Sequence, residues 1–262
     1  MHHIALASGV RLHYVVQGTA GTPVILLHGY SDSSFSFSRV LPLLPRTWRV
    51  YALDLRGHGN SEQPEAGYGM RDLASDVVAF MEALGLDRAV LVGHSMGSFV
   101  AQQVALAAPG SLAGLVFLDG ATSIHRMQGI EEFEDMVAGL ADPVSREFVR
   151  EFQVSTIHQP VPEAFLEAVI AESMKLPARV WQALLEGMLM TDPAAGDALA
   201  QIPALLMWGD RDAIFSRAAQ SALLEGFGAG MLTVYPETGH APHWERPEVV
   251  ARDLQAFVAR VA

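Results

Sequence analysis

Residues 91–97 read LVGHSMG and place Ser95 between Gly93 and Gly97. The apolar run AVLV leads into this stretch, and the helical pattern SFVAQQVALAA follows it. A Gly-x-Ser-x-Gly sequence between a strand and a helix predicts a sharp turn that presents the serine hydroxyl at the end of the strand. A side chain at either glycine would collide with neighbouring backbone in so tight a turn. Ser95 is therefore the predicted nucleophile.

The composition limits the classes of protein to consider. The 262 residues are 50% hydrophobic and 18% charged, which predicts one large globular domain or a domain with an insertion. A net charge of -12 disfavours nucleic acid and anionic membranes as partners. The expected partner is a small-molecule substrate, while the oligomeric state is left open. The sequence has no cysteine, and we expect neither a signal peptide nor a membrane span, hence a cytoplasmic location.

Strand and helix patterns alternate along most of the chain. A hairpin is predicted around Ser8 and Gly9, and the apolar runs PVILL, RVYALDL, AVLV, LAGLVFL, PALLMW and GMLTVY are typical of buried strands. Helical spacing follows several of these runs, for example at Leu73, Val77 and Phe80. Continuous apolar strands separated by helices predict an α/β fold with a mostly parallel, twisted sheet flanked by helices.

One long segment lacks a clear strand pattern and is predicted to be an inserted helical cap. The cap spans 121–202, between core segments 1–120 and 203–262. We expect four short helices in the cap, at 131–140, 143–156, 162–174 and 177–190, three of them opened by a proline. Cap methionines such as Met127 and Met188 could line an apolar pocket, although methionine at helical spacing is more often ordinary core.

A serine hydroxyl needs a base to take its proton and an acid to orient that base. His240, in the stretch ETGHAPHWERP, is the predicted base. Three carboxylates follow strand patterns and could support it, namely Asp119, Asp210 and Asp212. His243 is better explained as a loop histidine than as a metal ligand, because no further ligand cluster accompanies it. No metal and no cofactor are implied.

Backbone N–H groups are the predicted donors to the oxyanion that forms during attack on a carbonyl. Met96 supplies one at the start of the helix that follows Ser95. Tyr30 supplies the other, just beyond the strand that ends in His28 and Gly29.

The motifs together resemble the α/β-hydrolase superfamily, in its branch with an inserted cap. The resemblance covers 12–118 and 202–258 and rests on LLHG, LDLRGHGNS, VGHSMG, WGDRD and ETGHAPHWERP, in the family's order. In that family the acid usually follows the tryptophan-glycine pair by three positions, which implies Asp212. Epoxide hydrolases and haloalkane dehalogenases of this fold carry aspartate at the nucleophile position, so Ser95 disfavours both. Proline iminopeptidases have tryptophan where Met96 stands.

The resemblance implies a serine hydrolase that cleaves carboxylic esters or lactones of a fairly apolar small molecule through an acyl-enzyme. Two alternatives use the same site: a carbon-carbon bond hydrolase, and a cofactor-free haloperoxidase or perhydrolase. A receptor that keeps the triad but signals through its cap is a third, from a different class of protein. The candidate pocket residues, chosen from their loop or cap positions, are Phe35, Phe37, Met127, Trp181 and Met188.

Overall fold

The computed structural model describes residues 2–194 and 197–261. Over these residues the chain forms an eight-stranded sheet with the strand order β1-β2-β4-β3-β5-β6-β7-β8. The strands are His2–Ala5 (β1), Arg11–Gln17 (β2), Pro23–Leu27 (β3), Arg49–Leu53 (β4), Ala89–His94 (β5), Leu112–Leu118 (β6), Ala204–Gly209 (β7) and Gly230–Tyr235 (β8). β2 is antiparallel to both of its neighbours, β1 and β4. The remaining neighbours in the order β4-β3-β5-β6-β7-β8 pair in parallel. The fold is therefore the predicted α/β class with a mostly parallel sheet.

Helices connect the parallel strands and cover both faces of the sheet. In chain order they are Met70–Ala83 (α1), Met96–Ala107 (α2), Ile130–Ala138 (α3), Arg146–Ser155 (α4), Glu163–Ser173 (α5), Ala178–Leu189 (α6), Asp197–Ala200 (α7), Arg217–Glu225 (α8), Pro242–Glu245 (α9) and Pro247–Val261 (α10). None of the helices in the described part of the chain is long and apolar enough to span a bilayer.

Successive residues of β5 face opposite sides of the sheet, and both sides are buried. Leu91 belongs to a large apolar cluster that includes residues of α1, α2 and the helices between β6 and β7. Val90 and Val92 belong to the second cluster, which is closed by α10. Burial on both faces explains why the strand sequence is continuously apolar rather than alternating.

The segment between β6 and β7 contains α3 to α7 and lies where the cap is predicted, so it is called the cap below. Three helices begin later than the proline pattern suggests. Ser145 is the N-cap of α4 and its side chain accepts a hydrogen bond from the backbone of Phe148, so Pro143 lies before the helix. Pro162 and Pro177 are themselves N-cap residues rather than first-turn residues. The exact limits 121–202 stay a prediction.

The parallel strands bring their carboxyl ends to one edge of the sheet. The register pairs Leu27 with Gly93, His94 with Leu118, and Gly209 with Tyr235. Ligands of open α/β sheets bind outside this edge. The loops that follow β3, β5, β6, β7 and β8 therefore meet there, and each of them carries a predicted site residue.

Candidate active site

Ser95 occupies the sharp turn between β5 and α2 in a strained backbone conformation, with φ 48° and ψ -115°. Its backbone N–H donates to the carbonyl of Leu118 at 3.0 Å, which holds the turn on the end of β6. A Cβ added at Gly93 would lie 2.3 Å from the carbonyl oxygen of Gly97, and one at Gly97 would lie 2.3 Å from that of Leu27. The glycines thus permit a turn in which a partly exposed serine is held under strain, as nucleophile elbows require.

We expect Gly97→Ala to destabilise the protein by about 3 kcal/mol, because the new methyl group would overlap fixed backbone of β3 and the residue after it. Gly110→Ala is the matched control, since a Cβ there has no heavy atom within 4 Å. Urea unfolding of both variants measures the effect. Equal stability of the two variants would contradict the tight turn described above.

His240 and Asp212 are both buried and are joined by a hydrogen bond of 2.9 Å between Nδ1 and Oδ2. The other carboxylate oxygen of Asp212 accepts the backbone N–H groups of Ile214 at 2.7 Å and Phe215 at 3.0 Å. Because Asp212 is an acceptor, Nδ1 carries the proton in the neutral imidazole, and Nε2 is left as the basic nitrogen. Nε2 is buried and has no hydrogen-bond partner among the residues that the structure describes.

The other two candidate acids lie in different surroundings. Asp210 is exposed and accepts the backbone N–H of Glu237 at 2.7 Å. Asp119 is buried beside Asp212, and burial together with the charge of Asp212 raises its pKa well above the usual value. Of the three carboxylates, Asp212 is the one that the structure joins to His240 by a hydrogen bond.

One oxygen of Asp119, one of Asp212 and a ring nitrogen of His240 all lie within 4.8 Å of one another. Over the described ranges this is the one group of side chains spaced closely enough to hold a metal ion. Its imidazole is already hydrogen-bonded to Asp212 through Nδ1, so the geometry favours acid-base chemistry over metal binding.

His94, the residue before Ser95, connects the serine turn to the histidine loop. Its Nε2 donates to the backbone carbonyl of His240 at 2.9 Å, and the two rings lie 5.2 Å apart between centroids. Burial and the neighbouring histidines lower the pKa of His94 well below its usual value, so it is a neutral donor. His243 is also buried, and its Nε2 lies 2.9 Å from the hydroxyl of Ser36, a structural contact.

The predicted oxyanion donors lie on two loops of the same edge. Met96 is the first residue of α2, where backbone N–H groups have no partner within the helix and the helix dipole is positive. Tyr30 follows β3 and precedes Ser31, which has a positive φ of 64°. The Tyr30 hydroxyl donates to the carbonyl of Trp181 in α6 at 2.6 Å, so the same residue also anchors the cap.

A buried amide from the cap, which is not among the predicted site residues, contacts the Tyr30 loop as well. Nε2 of Gln153 in α4 lies 3.1 Å from Oδ1 of Asp32, 3.2 Å from Oγ of Ser31 and 2.9 Å from Oγ of Ser173. Burial raises the pKa of Asp32 to about 7. The one sequence signal is that Gln153 lies four residues after the buried Val149, on the apolar face of α4.

A second connection joins the cap to the histidine loop. The backbone N–H of His240 donates to the carbonyl of Thr156 at 2.8 Å. Glu245 accepts from Gly239 at 2.9 Å and from Gln159, beyond the end of α4, at 2.8 Å. The position of the cap is therefore linked to that of His240.

A cavity of about 350 Å³ opens between the cap and the loop that carries Asp212. Its wall includes Ile214, two residues after Asp212, and the rings of Phe133 and Phe152, which lie 5.9 and 5.8 Å from the ring of Tyr30. The complete lining is Met127, Gln128, Gly129, Phe133, Met136, Phe148, Glu151, Phe152, Ser155 and Ile214.

The five predicted pocket residues lie in different places. Met127 lines this cavity. Phe37 is buried in the core cluster closed by α10, and Phe35 stacks on Phe165 with ring centroids 5.7 Å apart. Trp181 and Met188, both in α6, are buried in the large apolar cluster that also contains Leu91. Which of them contacts a substrate stays a prediction, as do the catalytic roles.

Comparison with known proteins identifies relatives across nearly the whole chain. A family model described as alpha/beta hydrolase fold matches residues 22–247. A soluble epoxide hydrolase of Corynebacterium sp. (strain C12) is 42% identical over 100 residues, which are 38% of this chain and 35% of that protein. The dihydrolipoyllysine-residue acetyltransferase component of an acetoin cleaving system from Pseudomonas putida is 31% identical over 253 residues, 93% of this chain and 65% of that protein.

A solved esterase from Rhodococcus sp. ECU1013 is similar over its full length. It is 27% identical to this chain, covers 100% of it with 99% of its own length, and superposes with a TM-score of 0.86. The chain thus spans about a third of the length of the epoxide hydrolase and about two thirds of the length of the acetyltransferase component. It spans nearly all of the esterase.

Proposed function

The chain belongs to the alpha/beta hydrolase fold family, and we propose that it is a serine hydrolase that cleaves carboxylic esters or lactones of small, apolar molecules. One observation carries the proposal. His240 is hydrogen-bonded through Nδ1 to Asp212, and its buried Nε2 is left without a partner in the described part of the chain. An imidazole held in this way has a basic nitrogen free to take a proton, and the strained turn that carries Ser95 lies at the same edge of the sheet.

In the proposed reaction, His240 takes the proton of Ser95 as the serine oxygen attacks the substrate carbonyl. The backbone N–H groups of Tyr30 and Met96 donate to the oxyanion, and Asp212 stabilises the imidazolium without becoming protonated. The imidazolium then gives its proton to the leaving alcohol. Water, deprotonated by His240, attacks the acyl-enzyme and releases the acid.

An epoxide hydrolase relative does not change this assignment. In the epoxide hydrolases of this fold the nucleophile is an aspartate, and this chain has Ser95 in that position. The oxygen of a serine bonds to the carbonyl carbon of an ester to give the acyl-enzyme of ester hydrolysis. The esterase from Rhodococcus, similar over its full length, supports the same reaction class.

The cavity supports an apolar substrate portion. Aromatic and aliphatic side chains form most of its lining, and the exposed carboxylate of Glu151 at its wall disfavours an anionic substrate. At about 350 Å³ it is at the lower end of ligand-site volumes, which suits a small ester or lactone. A small-molecule substrate and a cytoplasmic location stay part of the proposal.

Stopped-flow assays with p-nitrophenyl acetate, butyrate and benzoate test the proposal. We expect a burst of p-nitrophenol equal to the enzyme concentration, followed by slower turnover. We also expect kcat/KM to be higher for the esters with the larger acyl groups. A folded protein that shows neither burst nor turnover with these esters or with a simple lactone would contradict it. Adding hydrogen peroxide, which competes with water for the acyl-enzyme, and measuring the ratio of peracid to acid separates perhydrolysis from hydrolysis.

We expect Phe148→Ala to raise KM for p-nitrophenyl benzoate about tenfold, because the variant removes apolar surface that the acyl group would bury. The KM for p-nitrophenyl acetate should change less than twofold. Phe165→Ala is the control, since this cap residue packs on Phe35 instead of lining the cavity. An equal change in KM for both esters would show that the acyl group does not bind beside Phe148.

A further inference from the structure

Asp119 is a buried carboxyl group that the proposed reaction does not use. It follows β6, is fully buried, and has a positive φ of 45°, which is uncommon for a residue other than glycine. Its Oδ1 accepts the backbone N–H of Gly209 at 3.0 Å. Its Oδ2 is buried and has no hydrogen-bond partner within 2–194 and 197–261. Such a group in a native protein calls for a physical explanation.

The neighbour of Asp119 is the carboxylate of Asp212, since oxygens of the two groups lie within 4.8 Å. Two buried carboxylates at this separation do not both ionise, so one of them holds a proton. Asp212 accepts three N–H groups, from Ile214, Phe215 and His240. Asp119 accepts only the one from Gly209 among the described contacts. Hydrogen bonds to a carboxylate favour its charged form, and therefore the proton belongs to Asp119.

The number of acceptor positions in use indicates which oxygen of Asp119 carries the proton and which group can accept a hydrogen bond from it. An ionised carboxylate has about four lone-pair positions, and Asp212 uses three of them on the N–H groups named above. The fourth is open to a further donor. In Asp119, Oδ1 is the accepting oxygen, so the hydroxyl lies on Oδ2, the oxygen that otherwise lacks a partner.

We propose that Asp119 is a positioning residue whose protonated carboxyl donates a hydrogen bond to Asp212 and so holds Asp212 against His240. The proposal rests on the proposed function, because it gives Asp119 a role through the acid of the triad. Asp119 itself touches neither the substrate nor the reacting atoms. Burial and the charge of Asp212 raise the pKa of Asp119 well above its usual value, in agreement with the geometry.

Other ionisable groups also act on Asp119. Besides the charge of Asp212, the negative charge of Glu245 in α9 disfavours the ionised form of Asp119. A ring nitrogen of His240 lies within 4.8 Å of a carboxylate oxygen of Asp119. The hydroxyl of Tyr235 at the end of β8 lies within electrostatic range, and it donates to Asp253 at 3.0 Å. The negative groups in this set favour the protonated form of Asp119.

Asp119→Asn and Asp119→Leu form the decisive pair of variants. Asparagine has the shape of the protonated acid, so its oxygen can accept from Gly209 while its amide donates to Asp212. We expect kcat to fall less than tenfold in Asp119→Asn and about 100-fold in Asp119→Leu, with KM changed less than threefold in both. A loss in Asp119→Asn as large as in Asp119→Leu would show that Asp119 acts as an ion. Wild-type kcat in Asp119→Leu would show that it has no positioning role. Either result overturns the proposal.

The pH dependence of stability tests the proton without any turnover. Unfolded Asp119 is ionised above about pH 4, while in the folded protein it keeps its proton. Folding of the wild type therefore takes up a proton that folding of Asp119→Asn does not. As pH rises from 5 to 8, we expect the unfolding constant of the wild type, divided by that of Asp119→Asn, to rise by up to about tenfold per pH unit. A ratio that stays constant would overturn the proposal.

The two measurements also separate this proposal from the proposed function. The ratio of unfolding constants reports the proton on Asp119 whether or not the protein hydrolyses esters. If the wild type has no esterase activity but the ratio rises with pH, the proposed function fails and the proton on Asp119 stands. If Asp119→Leu does not fold, Asp119→Ala replaces it in the kinetic test, and Asp119→Asn still decides the test of the proton.

Discussion

Ser95→Ala should lower kcat for p-nitrophenyl butyrate by about 10⁶-fold, the loss expected when the nucleophile of a serine triad is removed. Alanine keeps the Cβ, so the strained turn at φ 48° is retained and stability should stay close to that of the wild type. Pre-steady-state kinetics should show no burst. Turnover above a tenth of the wild-type rate would mean that another group attacks the substrate.

Ser95→Gly provides the control for strain. Glycine adopts positive φ without steric cost, so this variant should be inactive like Ser95→Ala but more stable by about 1 kcal/mol. Urea unfolding of the two variants measures the difference. Equal stability would mean that the turn is not strained by a side chain at this position, although both variants would still test the nucleophile.

Asp212→Asn should lower kcat by about 10⁴-fold, because an amide can donate to Nδ1 and thereby favours the tautomer whose Nε2 carries the proton. That tautomer cannot accept the proton of Ser95. The fold should be retained, since asparagine keeps the oxygen that accepts from Ile214 and Phe215. Steady-state kinetics at neutral pH and a thermal unfolding curve measure both effects.

Asp210→Asn is the matched control for this variant. Asp210 lies two residues earlier in the same loop, is exposed, and contacts the backbone of Glu237 instead of the imidazole. We expect its kcat to stay within twofold of the wild type. A severe loss in Asp210→Asn, with normal activity in Asp212→Asn, would exchange the roles of the two residues and contradict the geometry described here.

The sequence predicts the features that depend on short segments. The strand-turn-helix pattern around Ser95 places the nucleophile because two glycines and an apolar strand are close in the chain. The same reasoning leaves three carboxylates as candidates for the triad acid. In the structure, the hydrogen bond with His240 distinguishes Asp212 from Asp210, and this contact joins two loops whose residues are 28 apart in the chain.

Features that depend on distant segments were beyond the reach of the sequence. Gln153 contacts Asp32 across a separation of 121 residues, and Gly209 donates to Asp119 across 90. Neither contact leaves a local pattern. Pocket residues pose the same difficulty, because whether a cap side chain faces the cavity or the cap interior depends on how the cap packs on Tyr30. Trp181, for example, is a cap residue that is buried in the large apolar cluster and does not line this cavity.

The measurement that tests the central claim most directly is labelling with a fluorophosphonate, followed by peptide mass mapping of the adduct. The reagent reacts with a serine hydroxyl that a neighbouring base activates, and it requires no knowledge of the natural substrate. We predict a single adduct on Ser95, which is absent from Ser95→Ala and strongly reduced in Asp212→Asn. A folded wild-type protein that remains unlabelled, or that carries the adduct on a different residue, would contradict the assignment of Ser95 as the activated nucleophile.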